Sequence, residues 1–230
     1  MFSPSARGRL TAHDLGRFPG NTLFDRIGRA VCGAACLPRK ELYESWEVAR
    51  RVRRRFRGGR IVDLAAGHGL LAHILLLLDD TSPAAVVVDS RLAESASRVH
   101  AALIDAWPRL AGRVQFEERG VDTVAVVAGD IVASIHACGS LTDVVLAQAS
   151  AARARVAVLP CCHDFVAGDT GGLEGWVDAS IAIDITRALR LRAQGYQVWT
   201  QTIPLAITSK NRLLLGAPVI LRAPTADYNA

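Results

Sequence analysis

The chain has 230 residues, half of them hydrophobic and 21% charged, which suffices for one substantial α/β domain and excludes a disordered chain or a charged linker. Its apolar runs, such as Ile74–Leu78, stop far short of the ~20 residues that cross a bilayer, and the opening residues lack the apolar segment of a secretory signal, so the expectation is a cytoplasmic protein with no membrane partner. The net charge of +5 comes almost wholly from arginine, the two lysines being Lys40 and Lys210, and is compatible with nucleic acid without requiring it.

Residues 1–37 mix polarities, prolines and glycines without a sustained period and are expected to form a partly ordered cap. Leu42, Trp46, Ala49, Val52 and Phe56 then recur at helical spacing, with Glu41, Glu44 and Glu47 early and arginines late. That order suits the helix macrodipole and predicts a helix closed by Gly58 and Gly59. Strands are expected at 60–64, 84–89, 114–118, 131–136, 156–160, 196–203 and 212–216, and further helices at 70–78, 91–106, 141–152 and 177–194. Segments such as VVVDS and VAVLP are apolar at consecutive positions, as in a parallel sheet covered on both faces. The last two strands leave no room for an intervening helix and should pair antiparallel. The expected fold class is α/β: a Rossmann-like doubly wound sheet of seven strands, the last antiparallel, in a domain spanning 58–230 behind a helical extension at 1–57.

The sharpest local signal is RIVDLAAGHGLLA, a strand ending at Asp63-Leu64, a turn Ala65-Ala66-Gly67-His68-Gly69 and an apolar helix from Leu70. Glycines there let the backbone approach a ligand, and the free N–H groups of the new helix suit a negative group. The next strand ends in Asp89, placed to accept from a ribose diol. The turn matches D-x-G-x-G-x-G with Ala65 at the first glycine, rather than the dinucleotide pattern G-x-G-x-x-G, which favours S-adenosylmethionine over a nicotinamide cofactor. The candidate cofactor residues are Asp63, Ala65, Gly67, His68, Gly69 and Asp89, with Glu118 after the third strand as a candidate adenine-facing acid.

The fourth strand runs into SIHACGSLTDVVL and the fifth into AVLPCCHDF, so His136, Cys138, Asp143, Cys162 and His163 are expected near the crevice at the carboxyl ends of neighbouring strands. H-x-C-G followed by T-D, then C-C-H after the next strand, resembles a branch of class I methyltransferases that includes the eukaryotic tRNA acceptor-stem 2′-O-methyltransferases. The resemblance spans roughly residues 60–218 and implies S-adenosylmethionine as cofactor and RNA, tRNA above all, as substrate. One of the two histidines is the candidate base, and Asp143 either orients an imidazole or caps its own helix. The paired lysines of another 2′-O-methyltransferase group have no counterpart in a chain with two lysines.

Other readings stand beside these. The cysteine and histidine cluster could hold zinc, with Cys32 and Cys36 adding thiols, although neither spacing is that of a C-x-x-C pair, and no metal is the preferred expectation. Arg50, Arg51, Arg53, Arg54, Arg55 and Arg57 could grip RNA phosphates or form a solvated helix end. Asp184 and Arg187, three apart, suit a salt bridge, and His73 and His100 read as structural. The function expected is thus an S-adenosylmethionine-dependent methyltransferase acting on RNA, with a non-catalytic cofactor- or metal-binding scaffold as the alternative.

Overall fold

The computed structural model of the chain describes residues 3–219. The central strands β1 (Ile61–Leu64), β2 (Ala85–Asp89), β4 (Ile131–Ser134) and β5 (Arg155–Val158) are buried almost throughout, which is why their apolar residues run on consecutively rather than alternating. With β3 (Val114–Glu118), β6 (Tyr196–Thr202) and β7 (Arg212–Pro218) they form one sheet of order β3-β2-β1-β4-β5-β7-β6. The pairs from β3 to β5 are parallel, and β7 lies antiparallel to both β5 and β6. The expected doubly wound sheet with a final antiparallel strand is therefore observed. Strand order reverses between β1 and β4, opening a crevice at their carboxyl ends.

Among the described residues, two α-helices precede the sheet. The reading of residues 1–37 as an aperiodic cap is corrected by α1 (Leu23–Ala34), which buries Ile27, Val31 and Cys32 and whose N-cap Thr22 accepts from the Asp25 N–H. The helix α2 (Arg39–Arg55) follows, ending before Gly58 and Gly59 as expected, both at positive φ. Leu10, Phe18, Ile27, Leu42 and Val52 join Ile61, Leu71 and Val87 in one continuous core. Burying each such side chain contributes roughly 1.5–3 kcal/mol, so the extension shares the stability of the sheet it packs on.

The remaining helices are α3 (Leu70–Leu78), α4 (Glu94–Ala106), α5 (Leu141–Ala151) and α6 (Ala179–Ala193). Strand β4 stops at Ser134, so His136 sits in the loop after it rather than on the strand. Among the described residues, no helix is long and apolar enough to cross a membrane.

Candidate active site

The turn after β1 is built by its two acids. The Gly67 N–H donates to Asp89 Oδ2 (2.9 Å) and the Ala72 N–H to Asp63 Oδ2 (3.2 Å), so the end of β2 tethers the loop and the end of β1 the first turn of α3. Ala65, Gly67 and Gly69 all adopt positive φ, 52°, 56° and 71°. A Cβ on Gly69 would lie 2.9 Å from Val87 Cγ1, so glycine is required there by packing. A Cβ on Gly67 would meet only His136 Cδ2, at 3.8 Å, and would project into open space above the turn. Asp63 Oδ1 is buried without a hydrogen-bond partner, and burial, only partly offset by the Ala72 N–H and reinforced by nearby Asp89, pushes its carboxyl well above the usual range. An orphaned acid beside an open glycine cradle fits a cationic ligand group approaching from the crevice. Asp89 and Glu118 stand level at the ends of β2 and β3, and Glu118 Oε2 accepts from the Leu92 N–H (3.0 Å).

His68 and His136 face each other over this turn, ring centroids 5.6 Å apart. The Leu70 N–H donates to His68 Nδ1 (3.1 Å), which leaves the proton on Nε2, 2.5 Å from Glu41 Oε2 and off the line of a good hydrogen bond. Glu41 was not among the residues expected here. It reaches the site because the first turn of α2 stands at the hollow, a tertiary placement with no signature in local spacing. Its carboxyl lies below the usual range: burial acts the other way, but the close His68 imidazole outweighs it. His136 Nε2 has no partner, and burial together with His68 lowers its pKa to about 4. Glu41, Gly67, His68, His136 and Cys36 line a hollow of about 360 Å³. Through Arg9, Cys36, Ala93 and Ser95 it adjoins a second hollow of about 500 Å³ that also carries Arg91 and Arg98.

The loops after β4 and β5 come together as expected, with the Gly139 N–H donating to the Cys162 carbonyl (3.1 Å). Cys138, Cys161 and Cys162 bring their sulfurs within 4.8 Å of one another, Cys138 and Cys162 being exposed. Cys32 is in the core and Cys36 across the hollow, so neither joins that trio. The histidine of the C-C-H motif points elsewhere: the His163 side chain is 1% exposed and its Nε2 lies 2.9 Å from Asp184 Oδ1. Asp143 neither orients an imidazole nor accepts a bond from its own helix; it takes two bonds from Arg187, at 2.9 and 2.7 Å. Arg187 also reaches Asp184 (3.3 Å), the salt bridge its spacing suggests, and the Gly139 carbonyl (2.9 Å). His73 and His100 pair at 3.0 Å away from the crevice, His73 donating through Nδ1 to the Gly69 carbonyl.

The arginine run lies at the opposite edge of the sheet. Arg53 is 3% exposed, bonds the Leu75 carbonyl and Ser82 Oγ, and pairs with Asp79 at 3.0 Å. Arg50 and Arg51 pair with Glu47, Arg55 lies over Trp199, and Arg57 bonds the Leu78 carbonyl. Arg155, which opens β5, bonds the carbonyls of Arg57 and Gly58 and so marks this as the amino-terminal edge. Arg9, Arg91 and Arg98 instead line the hollow adjoining the crevice.

Comparison with known proteins agrees with this geometry. A family described as "Methyltransferase domain" matches residues 40–169, from the first turn of α2 through the Cys-Cys-His loop. Solved structures share the fold: an O-methyltransferase family protein from Burkholderia thailandensis is 17% identical with a TM-score of 0.52, covering 91% of this chain and 64% of its own. The S-adenosylmethionine-dependent methyltransferase SibL in its apo form is 17% identical with a TM-score of 0.51, covering 92% and 66%. The mitomycin 7-O-methyltransferase MmcR is 14% identical with a TM-score of 0.50, covering 89% and 60%. The chain thus spans about 64% of the length of the first of these. No curated protein matches it. With the match taking in more than half of the residues, the turn, the crevice and both Cys/His loops, the chain belongs to the methyltransferase-domain family, an enzyme fold whose methyl donor is S-adenosylmethionine.

Proposed function

We propose that this methyltransferase acts on RNA, tRNA being the favoured class, with the cofactor bound over the glycine turn and the acceptor entering past His136. The observation that carries the reading is the unsatisfied His136 Nε2 beside the open space above Gly67, with a second unsatisfied atom, Asp63 Oδ1, on the strand that leads into the same turn. S-adenosylmethionine supplies a methyl group on a sulfonium centre. Asp63 would take the positive end of the amino-acid portion and Asp89 the ribose, with Ala65, Gly67, His68, Gly69 and Glu118 shaping the cradle. His136, neutral at physiological pH, accepts the proton released by an acceptor hydroxyl or ring nitrogen. Glu41 positions His68 against it. Cys138 and Cys162 line the acceptor side, while Asp143 and His163 act through the bonds that brace those loops.

RNA is supported by the sequence resemblance and by Arg9, Arg91 and Arg98 around the adjoining hollow; residues 1–57 then serve as an extension of a methyltransferase domain at 58–230 that brings Arg9 and Glu41 to the crevice. The arginine run contributes less, since most of it is engaged within the protein. The test is transfer of labelled methyl from S-adenosylmethionine to total tRNA, followed by nucleoside mass spectrometry. RNA binding whose affinity falls steeply with salt, and falls further when Arg91 and Arg98 become alanine, supports the reading. Labelling of protein or small molecules with RNA untouched overturns it.

A further inference from the structure

We infer that Cys138, Cys161 and Cys162 form a binding site for one zinc ion, held by three thiolates with a fourth position open to the solvent side. Nothing in this inference requires RNA as substrate or a bound cofactor.

The two loops that carry the thiols leave neighbouring parallel strands, and Ser134 pairs with Val158 at the ends of those strands. Cys138 therefore rises beside the Cys161-Cys162 pair by construction of the sheet. The three sulfurs lie within 4.8 Å of one another. Tetrahedral coordination with Zn–S near 2.3 Å sets sulfurs roughly 3.8 Å apart, so closure needs each to move by no more than about an ångström. The loops that would move are already clamped. The Gly139 N–H is bonded to the Cys162 carbonyl, and Arg187 holds the Gly139 carbonyl from behind. The His163–Asp184 bond fixes the residue next to Cys162. This is the outer support that metal ligands need.

The chemistry of the trio points the same way. Three thiolates this close are stable together only with a cation between them. A divalent cation would replace the thiol protons, releasing them to solvent and leaving a net charge of one minus on the site. Thiolate donors select zinc over magnesium or calcium. A disulfide within the trio is the competing outcome: adjacent Cys161 and Cys162 make a strained ring, which leaves Cys138 with either as the oxidised pair.

The inference is tested on the full chain, purified with a non-thiol reductant. Metal analysis and zinc competition against a chromophoric chelator should give one equivalent, and cobalt substitution should give thiolate charge-transfer absorption with tetrahedral d–d bands. Cys138→Ser, Cys161→Ser and Cys162→Ser should each weaken zinc by more than the roughly 100-fold that loss of an outer-shell partner can cost, whereas Cys36→Ser should not. Should a variant fail to fold, the wild-type protein still decides, because zinc should protect these three cysteines from alkylation in peptide mapping while Cys36 stays reactive. Absence of zinc uptake overturns the inference. So does uptake that is lost in Glu41→Gln or His136→Gln but survives the cysteine changes, or a trio found two mass units lighter as a disulfide.

Discussion

His163 Nε2 lies 2.9 Å from Asp184 Oδ1, and the same carboxylate also receives Arg187 and Arg212 (2.7 Å), so the imidazole after the Cys-Cys pair is turned into the protein. Arg187, its side chain 2% exposed, is the hub that ties α6 to the loop after β4 through Asp143 and the Gly139 carbonyl. Removing one member of such a buried network leaves charge without compensation. Arg187→Leu should cost about 3 kcal/mol, the low end for buried pairs because Asp143 is partly exposed, and lower Tm by roughly 6–12 °C. Scanning calorimetry checks this; an unchanged Tm would mean the network is not what fixes the loops.

Asp63 supplies a second prediction, with a sign that separates ligand binding from folding. Its carboxyl is raised by burial, so the folded chain retains a proton that the unfolded chain gives up. Its contribution therefore becomes less favourable as pH rises above the unfolded value near ~3.9. Asp63→Asn keeps an acceptor for the Ala72 N–H and removes the costly charge, so Tm without cofactor should rise at pH 7. Affinity for S-adenosylhomocysteine should fall by about 10–100-fold, the worth of one hydrogen bond to a charged group. Calorimetry showing full affinity in the variant would remove Asp63 from the cofactor site.

Which of these features could be read from the chain follows from the range of the interactions involved. Periodicity is local, and so the buried strands, α3, the antiparallel return of β7 and the extent of α2 were visible in it. The helix α1 also carries a local signal, with Leu23, Phe24, Ile27, Val31 and Cys32 on one face, but surrounding glycines, prolines and arginines obscure it when residues 1–37 are read as a block. Strand-end position brought His136 and the cysteines to one edge of the sheet, yet said nothing of side-chain direction. Direction is what divides His136, unpartnered on the lining of the hollow, from His163, bound to Asp184. The same limit applies to the arginine run, whose charge suggested phosphate until Asp79, Glu47 and the carbonyls of α3 were seen to occupy it. Glu41 depends on how α2 packs beside α3, which only the assembled core determines.

Ala65 stands where the motif has glycine and adopts φ 52°. A left-handed conformation costs an L-residue roughly 1–2 kcal/mol, more than the conformational freedom glycine adds to the unfolded chain. Ala65→Gly should thus stabilise the protein by about 0.5–1 kcal/mol. Gly69→Ala should act oppositely, since its φ of 71° is left-handed and the new methyl would press on Val87. Urea midpoints for the two variants check both directions; a destabilised Ala65→Gly would show that the methyl packs better than the strain it causes.

The last prediction concerns His136, whose pKa is lowered to about 4 by burial and by the facing His68. A base with that pKa remains available well below neutrality, so kcat/KM should stay level down to about pH 5, where an ordinary imidazole near ~6.5 would already be protonated. His68→Gln removes one cause of the depression and should move the acidic limb upward. His136→Gln should lower kcat by roughly 10²–10⁴-fold with S-adenosylhomocysteine affinity intact, the range expected when a general base is lost. The fold limits the accessible window. His73 is likewise depressed to about 4 by burial, so both imidazoles take up protons on unfolding below pH 6.5, and the stability they provide above that pH is lost as pH falls toward 4. Rates should therefore be read between pH 5 and 8 alongside a melting curve at each pH. An acidic limb near 6.5 in a still-folded protein would exclude His136 as the proton acceptor.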